Sequence, residues 1–225
     1  MTAPATPAHD CRRVLLAGAT GLVGRELLAL LLADPSVLEV HTVGRRPSGH
    51  RHQKLQHHHS DLRSIPPLPR LDAVFIALGT TIQVAGSQQA FRAVDHDAVL
   101  AVAGAGWAAG ARRLGVVSAM GADAHSRIFY NRVKGETEEA LSALGYDSLV
   151  IARPSLLIGD RTSLGQPERR GEGVGAVISR WLRPLIPANY RAIRAERVAR
   201  ALVGAVVHAA AGRTLLPSGR MQRAH

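Results

Sequence analysis

The sequence predicts an α/β fold, in which a Rossmann-like, doubly wound parallel sheet carries a short C-terminal segment on the substrate side. Three features favour this class: short apolar runs that end in glycine, segments of helical period that alternate with them, and a glycine-rich loop after the first run. Apolar strands that alternate with helices form βαβ units, which build a parallel sheet covered on both faces.

The expected elements follow one another from residue 13 onwards. Strands are predicted at 13–17, 38–43, 54–59, 72–78, 114–117, 149–152 and 214–216. Helices are predicted at 24–33, 87–111, 130–144, 174–185 and 195–210. Because no repeat or linker interrupts this order, we expect a flexible N-terminus at 1–12 and a single NAD(P)-binding domain at 13–225, with 161–211 as its substrate-side segment.

Composition excludes several classes of protein. The chain has 225 residues, of which 46% are hydrophobic and 20% charged, so it can bury a sizeable core. A single cysteine, Cys11, rules out an internal disulfide framework and favours a reducing compartment. The N-terminus lacks the pattern of a secretory signal, and the apolar stretch 98–111 is shorter than the roughly 18 residues that cross a bilayer. We therefore expect a cytoplasmic protein with no membrane partner.

The charge of the chain is strongly basic, with a formal net charge of +11. Clustered cations would favour nucleic acid as a partner, because they release counterions from phosphate. Here, however, the cations are almost all scattered arginines, since Lys54 and Lys134 are the two lysines, and aromatic residues make up only 4% of the chain. A nucleic-acid partner is therefore not expected, although a salt-sensitive gel shift with duplex DNA would revive it.

The loop GATGLVG lies between the first predicted strand and the first predicted helix, as in a dinucleotide-binding fingerprint. Gly18 permits the tight turn, Gly21 lets a pyrophosphate approach the backbone, and Gly24 lets the helix pack closely on the strand. The N–H groups and the positive end of the helix dipole would then face the phosphates. The loop predicts a bound dinucleotide.

The end of the second strand indicates which dinucleotide. NAD-preferring folds place an acid there for the ribose 2′-hydroxyl, whereas this chain has Arg45 and Arg46. Two guanidinium groups would attract a 2′-phosphate, and one of them can stack on adenine. We predict NADP(H) as cofactor, the alternative being that both are ordinary surface arginines.

A candidate catalytic group comes from one helix face and one strand end. Tyr130 and Lys134 are four residues apart and therefore share a helix face. A phenol is a poor proton donor at neutral pH, and a nearby ammonium group improves it by stabilising the phenolate. Ser118 ends the fifth strand, at the sheet edge where α/β proteins bind ligands, and its hydroxyl could hold a carbonyl oxygen.

These motifs resemble the short-chain dehydrogenase/reductase superfamily. The segments LGTT, AGSQQAFRAVD, SAMGAD, FYNRVKGETEEAL and ARPSLLIGDR are more similar to one atypical branch, which includes the Tat-interacting, metastasis-suppressor-type NADPH-binding proteins and their bacterial relatives. The likeness covers roughly residues 13–210. It implies a Rossmann core, bound NADP(H), and reduction of a small carbonyl substrate by a Ser–Tyr–Lys site.

The resemblance also implies which residues contact the coenzyme, with Tyr130 and Lys134 among them. The other implied contacts are Thr20, Gly21, Leu22, Val23 and Gly24 at the pyrophosphate, Asp61 and Leu62 at adenine, Leu78, Gly79 and Thr80 at the ribose, and Pro154, Ser155, Leu156 and Leu157 at the nicotinamide. Two features depart from the family pattern: Ala119 replaces a frequent second hydroxyl, and the fourth helical region has no asparagine for a proton relay.

Other readings of the sequence stay open. The run His57 to His59 could suggest a metal site, but successive strand residues point to opposite faces, so we predict no metal. A non-catalytic NADP(H)-binding regulator with a macromolecular partner would need the loop but not the Tyr–Lys pair. A nucleotide-sugar epimerase is disfavoured, because only about 70 residues follow the sixth strand. The substrate and the oligomeric state, a homodimer included, are undetermined.

Overall fold

Seven parallel strands form the central sheet, in a computed structural model that describes residues 12–158, 188–208 and 210–223. In chain order they are β1 (Arg13–Ala17), β2 (Glu39–Gly44), β3 (Leu55–His59), β4 (Ala73–Ile76), β5 (Arg113–Val117), β6 (Ser148–Arg153) and, after two short strands, β9 (Gly212–Pro217). The strand order across the sheet is β3-β2-β1-β4-β5-β6-β9. The short strands β7 (Leu157–Ile158) and β8 (Ile193–Arg194) pair with each other in a second sheet.

Helices connect these strands and cover the sheet. They are α1 (Leu22–Ala33), α2 (Ile82–Ala85), α3 (Gln88–Arg92), α4 (Ala98–Ala108), α5 (Phe129–Ser142), α6 (Ala195–His208) and α7 (Ser218–Arg223). A π-helical turn at Ala93–Asp97 joins α3 to α4, and a 3₁₀ turn spans Ala188–Tyr190. The predicted fold class, a Rossmann-like doubly wound parallel α/β sheet, is confirmed.

The sheet buries apolar residues on both faces. Along β1, Val14 and Leu16 belong to one core cluster with residues of α1 and α6, whereas Leu15 belongs to the other with residues of α4 and α5. Successive side chains of a strand point to opposite faces, so a continuous apolar run supplies both cores at once. This explains why the strands read as unbroken hydrophobic segments.

The segment 87–111 differs from the single helix that the sequence predicts. Ser87 caps α3 by accepting a hydrogen bond from the Ala90 N–H, and the π-helical turn then interrupts the helix before α4. A π-turn is wider than an α-turn and is often found at functional sites. Here it carries Asp95, whose buried side chain is bound from two other parts of the fold, as described below. Tertiary contacts of this kind are not visible in helical periodicity.

Several predictions concern residues outside the described ranges. They are residues 1–11 of the expected flexible N-terminus, the helix at 174–185, and the larger part of the substrate-side segment 161–211. Of that segment, the structure describes 188–208 and 210–211, which contain β8 and α6.

The sheet topology places a crevice at the carboxyl ends of β1 and β4. The chain runs from β1 outward to β2 and β3, then returns to β4 on the other side of β1. Ligands of open α/β sheets bind at such a switch point. Helix α5 flanks this crevice, and its position depends on Gly135, where an added Cβ would lie 2.0 Å from the backbone nitrogen of Ala124.

Substituting Gly135→Ala should therefore destabilise the protein. A Cβ that close to backbone atoms forces α5 or the 123–124 loop to move, and overpacking of this kind costs about 1–3 kcal/mol or more. The measurement is the free energy of unfolding in urea.

Gly104→Ala is the matched control, because a Cβ at Gly104 in α4 meets nothing within 4 Å. This change should raise stability by roughly 0.5–1 kcal/mol, since alanine restricts the unfolded chain more than glycine does. Equal effects of the two substitutions would contradict the close approach at Gly135.

Candidate coenzyme and active site

A cleft of about 330 Å³ opens at the carboxyl ends of the central strands. It brings together residues from the glycine loop, the ends of β4, β5 and β6, the π-turn and α5. Its lining consists of Gly21, Leu22, Val23, Ala77, Leu78, Gly79, Thr80, Thr81, Val84, Asp95, Val117, Ser118, Ala119, Tyr130, Lys134, Pro154, Ser155, Leu156 and Leu157. Of the residues singled out in the sequence, Gly18, Thr20, Gly24, Arg45, Arg46, Asp61 and Leu62 lie outside this lining.

The glycine loop forms one wall of the cleft. Gly18 has φ +87°, and a Cβ there would lie 2.5 Å from the carbonyl oxygen of Ala77. A Cβ on Gly24 would lie 1.9 Å from the carbonyl oxygen of Gly18, so glycine is needed where α1 meets the loop. Gly21 is the N-cap of α1 and has no side chain with which to occupy the first N–H groups. The loop therefore fits a dinucleotide pyrophosphate, which needs close backbone approach and free N–H donors.

Lys134 lies at the base of the cleft in a buried ion pair. Its Nζ is 2.7 Å from Oδ1 of Asp95, and the two side chains are 7% and 1% exposed. The Thr80 N–H donates to the other carboxylate oxygen of Asp95 at 2.9 Å. Thr137 Oγ1 lies 3.1 Å from the Asp95 carbonyl oxygen and 2.7 Å from that of Val133, so its one hydroxyl proton is shared between the π-turn and α5. The carboxylate therefore fixes the position of Lys134.

Tyr130 precedes Lys134 by four residues on α5, and both line the cleft. The Tyr130 ring packs 5.3 Å, centroid to centroid, from Phe91, which is fully buried in α3. Phe91 in turn makes an edge contact with Phe129 at 5.9 Å. The phenol is thus held by aromatic packing on the same side of α5 as the ammonium group, as the spacing predicts.

Ser118 follows β5, and its hydroxyl is bound by Glu138, which lies on the same side of α5 as Tyr130 and Lys134. Its hydroxyl donates to Oε1 of Glu138 at 2.6 Å, within the buried interior. Arg153 contacts both oxygens of that carboxylate, with its Nη2 2.6 Å from Oε2, and Arg213 donates to Oε2 at 2.9 Å. The hydrogen bond to Glu138 raises the pKa of Arg153. The serine proton is therefore already donated within the protein.

The adenosine end of the expected coenzyme site lies beyond β2 and β3. Arg45 and Arg46 are exposed immediately after β2. Leu62 has φ +69°, an unfavourable conformation for this residue type, and its N–H donates to Ser60 Oγ at 2.9 Å. The Arg63 N–H donates to Asp61 and lowers the pKa of that carboxyl group. Such local strain is common where a turn is shaped to hold a ligand.

The opposite end of the cleft is formed by the segment after β6. Pro154 to Leu157 line it, and Leu156 is 54% exposed. The Ser155 hydroxyl donates to the Arg191 carbonyl oxygen and lies 3.0 Å from Ser218 Oγ. These contacts join the cleft wall to the C-terminal part of the described chain.

Sequence reasoning missed several residues of the site. Asp95 and Glu138 are the most important, because each binds one of the predicted catalytic side chains. The spacing of four residues from Lys134 to Glu138 was a usable signal. An acid inside the apolar segment 87–111 was a second one, for Asp95. Nothing local in the sequence indicated Val84, which reaches the cleft from α2.

The histidines of β2 and β3 form a separate cluster away from the cleft. His41 Nδ1 lies 3.0 Å from His58 Nε2, and His41 Nε2 lies 3.2 Å from Glu39. On the other face of the sheet, Thr42 Oγ1 lies 3.1 Å from His57 Nδ1. Adjacent histidines therefore point to opposite faces, as expected. In the described part of the chain, no group of three or more potential ligands is arranged to hold a metal ion.

Comparison with known proteins gives the same fold and a set of relatives. Residues 13–109 match the family model "Semialdehyde dehydrogenase, NAD binding domain". A protein from Emericella nidulans named "Protein fmp52, mitochondrial" is 39% identical over 161 residues, which cover 66% of this chain and 68% of that protein. "Protein FMP52, mitochondrial" from Coccidioides immitis is 33% identical over 218 residues, covering 88% of this chain and 86% of that protein.

A solved structure of much lower sequence identity has the same fold. A short chain dehydrogenase family protein from Francisella tularensis superposes with a TM-score of 0.66 at 13% identity, covering 94% of this chain and 99% of that one. The chain therefore shares the Rossmann-like α/β fold of that protein.

The comparisons correct one prediction. The cytoplasmic location expected from the sequence is wrong, because the relatives that share most of this chain are named mitochondrial proteins. Composition and cysteine count describe a reducing compartment, but they do not distinguish one such compartment from another. Among the residues that the structure describes, no helix has both the length and the apolar character needed to cross a bilayer.

The histidine cluster predicts how stability depends on pH. Burial lowers the pKa of both His57 and His58 from 6.5, with His59 adding to the effect on His57 and His41 to that on His58. The unfolded chain then binds more protons than the folded one just below pH 6.5. The stabilisation is therefore fully present above that value and is lost as the pH falls through the lowered values.

We expect the free energy of urea unfolding to fall between about pH 7.5 and pH 5, and less steeply in the double variant His57→Gln, His58→Gln. His125→Gln, on an exposed residue, should keep the slope of the unmodified protein. An unchanged slope in the double variant would show that these two rings are not responsible.

Proposed function

The chain belongs to the FMP52 protein family, and from this premise we propose that it is an NADP(H)-dependent oxidoreductase of the atypical short-chain dehydrogenase type. Its substrate would be a small carbonyl compound, reduced at a site made of Ser118, Tyr130 and Lys134. The observation that supports this most is that one cleft is lined by these three side chains and by the glycine loop.

Each residue of the candidate site would have a separate role in the reaction. When bound, NADPH supplies the hydride that goes to the carbonyl carbon. Tyr130 donates the phenolic proton to the carbonyl oxygen, so that one hydride and one proton convert the carbonyl to an alcohol. Lys134 would stabilise the phenolate that remains and would hold the ribose next to the nicotinamide. Pro154 to Leu157 would hold the nicotinamide ring at the far wall.

Asp95 supports this assignment because its carboxylate supplies the opposite charge that a buried ammonium group needs. The carboxylate also holds Lys134 on the side of the cleft where Thr80 lies, since both groups contact Asp95. In the segment that contains no asparagine, an acid thus occupies a position beside the catalytic lysine.

Preference for NADP(H) over NAD(H) rests on Arg45 and Arg46. Both are exposed immediately after β2, whose last residue, Gly44, accepts a hydrogen bond from the Ser60 N–H shortly before the strained turn at Leu62. A 2′-phosphate offers them a dianionic partner that the 2′-hydroxyl of NAD(H) does not. The finer likeness to the Tat-interacting branch, and the role of 161–211 as substrate-side segment, stay predictions.

Tyr130→Phe should lower kcat/KM for carbonyl reduction by about 10²–10⁴-fold, because the ring keeps its packing but loses the proton donor. NADPH affinity, followed by fluorescence titration, should stay within a few fold. Tyr146→Phe is a matched control, since Tyr146 does not line the cleft and its hydroxyl donates to the Ala103 carbonyl oxygen. Full activity in Tyr130→Phe would overturn the assignment. Binding of NADPH without oxidation across a broad carbonyl panel would favour the non-catalytic regulator.

The double variant Arg45→Ala, Arg46→Ala should weaken NADPH binding by about 10–100-fold and leave NADH binding nearly unchanged, because charge-assisted contacts to the 2′-phosphate are lost. Thermal-shift titration with each coenzyme measures both. Arg200→Ala on α6 removes an exposed guanidinium of another surface and should change neither. A clear preference of the unmodified protein for NADH would contradict the role of the two arginines.

A further inference from the structure

Ser118 lines the cleft, yet its hydroxyl donates to Glu138, which is not among the residues that line the cleft. We propose that Glu138 fixes Ser118 as a hydrogen-bond acceptor toward the substrate. The site would then prefer carbonyl compounds that carry a hydrogen-bond donor on the neighbouring carbon, such as α-hydroxy aldehydes and ketones. This inference rests on the proposed carbonyl reductase function and names its substrate class.

The direction of the Ser118 hydrogen bond follows from the charge on Glu138. An ionised carboxylate has no proton and can only accept, so at an oxygen separation of 2.6 Å the serine must be the donor. Arg153 and Arg213 donate N–H groups to the same carboxylate, at 2.6 Å and 2.9 Å, so Glu138 acts as the acceptor throughout this cluster. A hydroxyl has a single proton, and this one is used.

The bond to Glu138 is also difficult to exchange for a bond to substrate. Glu138 is 2% exposed, and O–H···O⁻ bonds of this length are among the stronger ones in proteins. Turning the proton toward the cleft would leave two oxygens facing each other as acceptors. Arg153 Nε already lies 2.9 Å from Oε1 and 3.2 Å from Oε2, so this contact is present whether or not the serine proton turns, and it does not relieve the contact between the two oxygens.

Substrate preference follows from what Ser118 presents to the cleft. Its free lone pairs repel a bare carbonyl oxygen, which is itself only an acceptor. They attract an O–H group. A substrate with a carbonyl and an adjacent hydroxyl matches both active-site oxygens: Tyr130 donates to the carbonyl oxygen, and Ser118 accepts from the hydroxyl. Sites that must pair a polar group discriminate against analogues that lack it.

Matched substrate pairs test the inference on the full chain with NADPH. Each pair exchanges a hydroxyl for a methyl group: glycolaldehyde and propanal, hydroxyacetone and butanone, 2-hydroxyacetophenone and propiophenone. The readout is the ratio of kcat/KM within each pair. Because a hydroxyl also activates its neighbouring carbonyl, the decisive quantity is how this ratio changes between variants. Ser118→Ala should lower it by about 10-fold or more, and Ser118→Thr, which keeps the hydroxyl, should restore it.

Glu138→Gln gives the sharper prediction. The amide oxygen should face Arg153 and Arg213, and the amide NH₂ should then donate to Ser118, which releases the serine proton toward the cleft. The preference should shift toward the compound without the hydroxyl. A residue with a merely structural role would lower both rates together and leave the ratio unchanged. Melting curves verify folding, and if Glu138→Gln does not fold, the ratio in Ser118→Ala decides alone.

The outcomes separate this inference from the proposed function. Reduction of both members of each pair, with a ratio that Ser118→Ala leaves unchanged, would overturn the acceptor role and keep the reductase. Absence of NADPH oxidation with all six compounds, although NADPH binds, would overturn the reductase proposal and this inference with it.

Discussion

The buried ion pair between Lys134 and Asp95 is the interaction on which the rest of the site depends. An ammonium group can be held among apolar residues only if an opposite charge accompanies it, and removing one partner of such a pair is strongly destabilising. Asp95 reaches Lys134 because a π-turn interrupts the helical segment before α4. Its backbone carbonyl and its second carboxylate oxygen are bound by Thr137 and Thr80. The lysine therefore joins the sheet edge, the π-turn and α5 at one point.

Three residues that are important for the proposed reaction lie along one side of helix α5. Tyr130, Lys134 and Glu138 recur at intervals of four residues, so that they lie on one side of the helix. Each has a partner from a different element: Phe91 for Tyr130, Asp95 for Lys134, and Ser118 for Glu138. Small shifts of this helix would disturb all three contacts together. The close backbone packing at Gly135 explains how the helix is held in place.

Local pattern was sufficient to predict most of the architecture. The apolar runs of β1 and β4 and the glycine loop define the parallel sheet and its crevice, since these signals depend on residues near each other in sequence. The π-turn could not be predicted in this way, because the pairing of Asp95 with Lys134 that accompanies it joins residues far apart in the sequence. The short pairing of β7 with β8 joins residues more than 30 positions apart, and two-residue strands leave no periodicity to detect.

In the candidate site, too, the sequence predicted which side chains come together but not the groups that surround them. Spacing alone placed Tyr130 and Lys134 on one helix face, and they line one cleft with Ser118. What spacing does not contain is the direction of hydrogen bonds, which depends on groups from other strands. A serine at the end of β5 could donate to a ligand or accept from one. Only the buried Glu138, held by arginines from β6 and β9, determines which. Whether a side chain such as Ser118 donates or accepts toward a ligand therefore depends on the charged groups that contact it inside the protein.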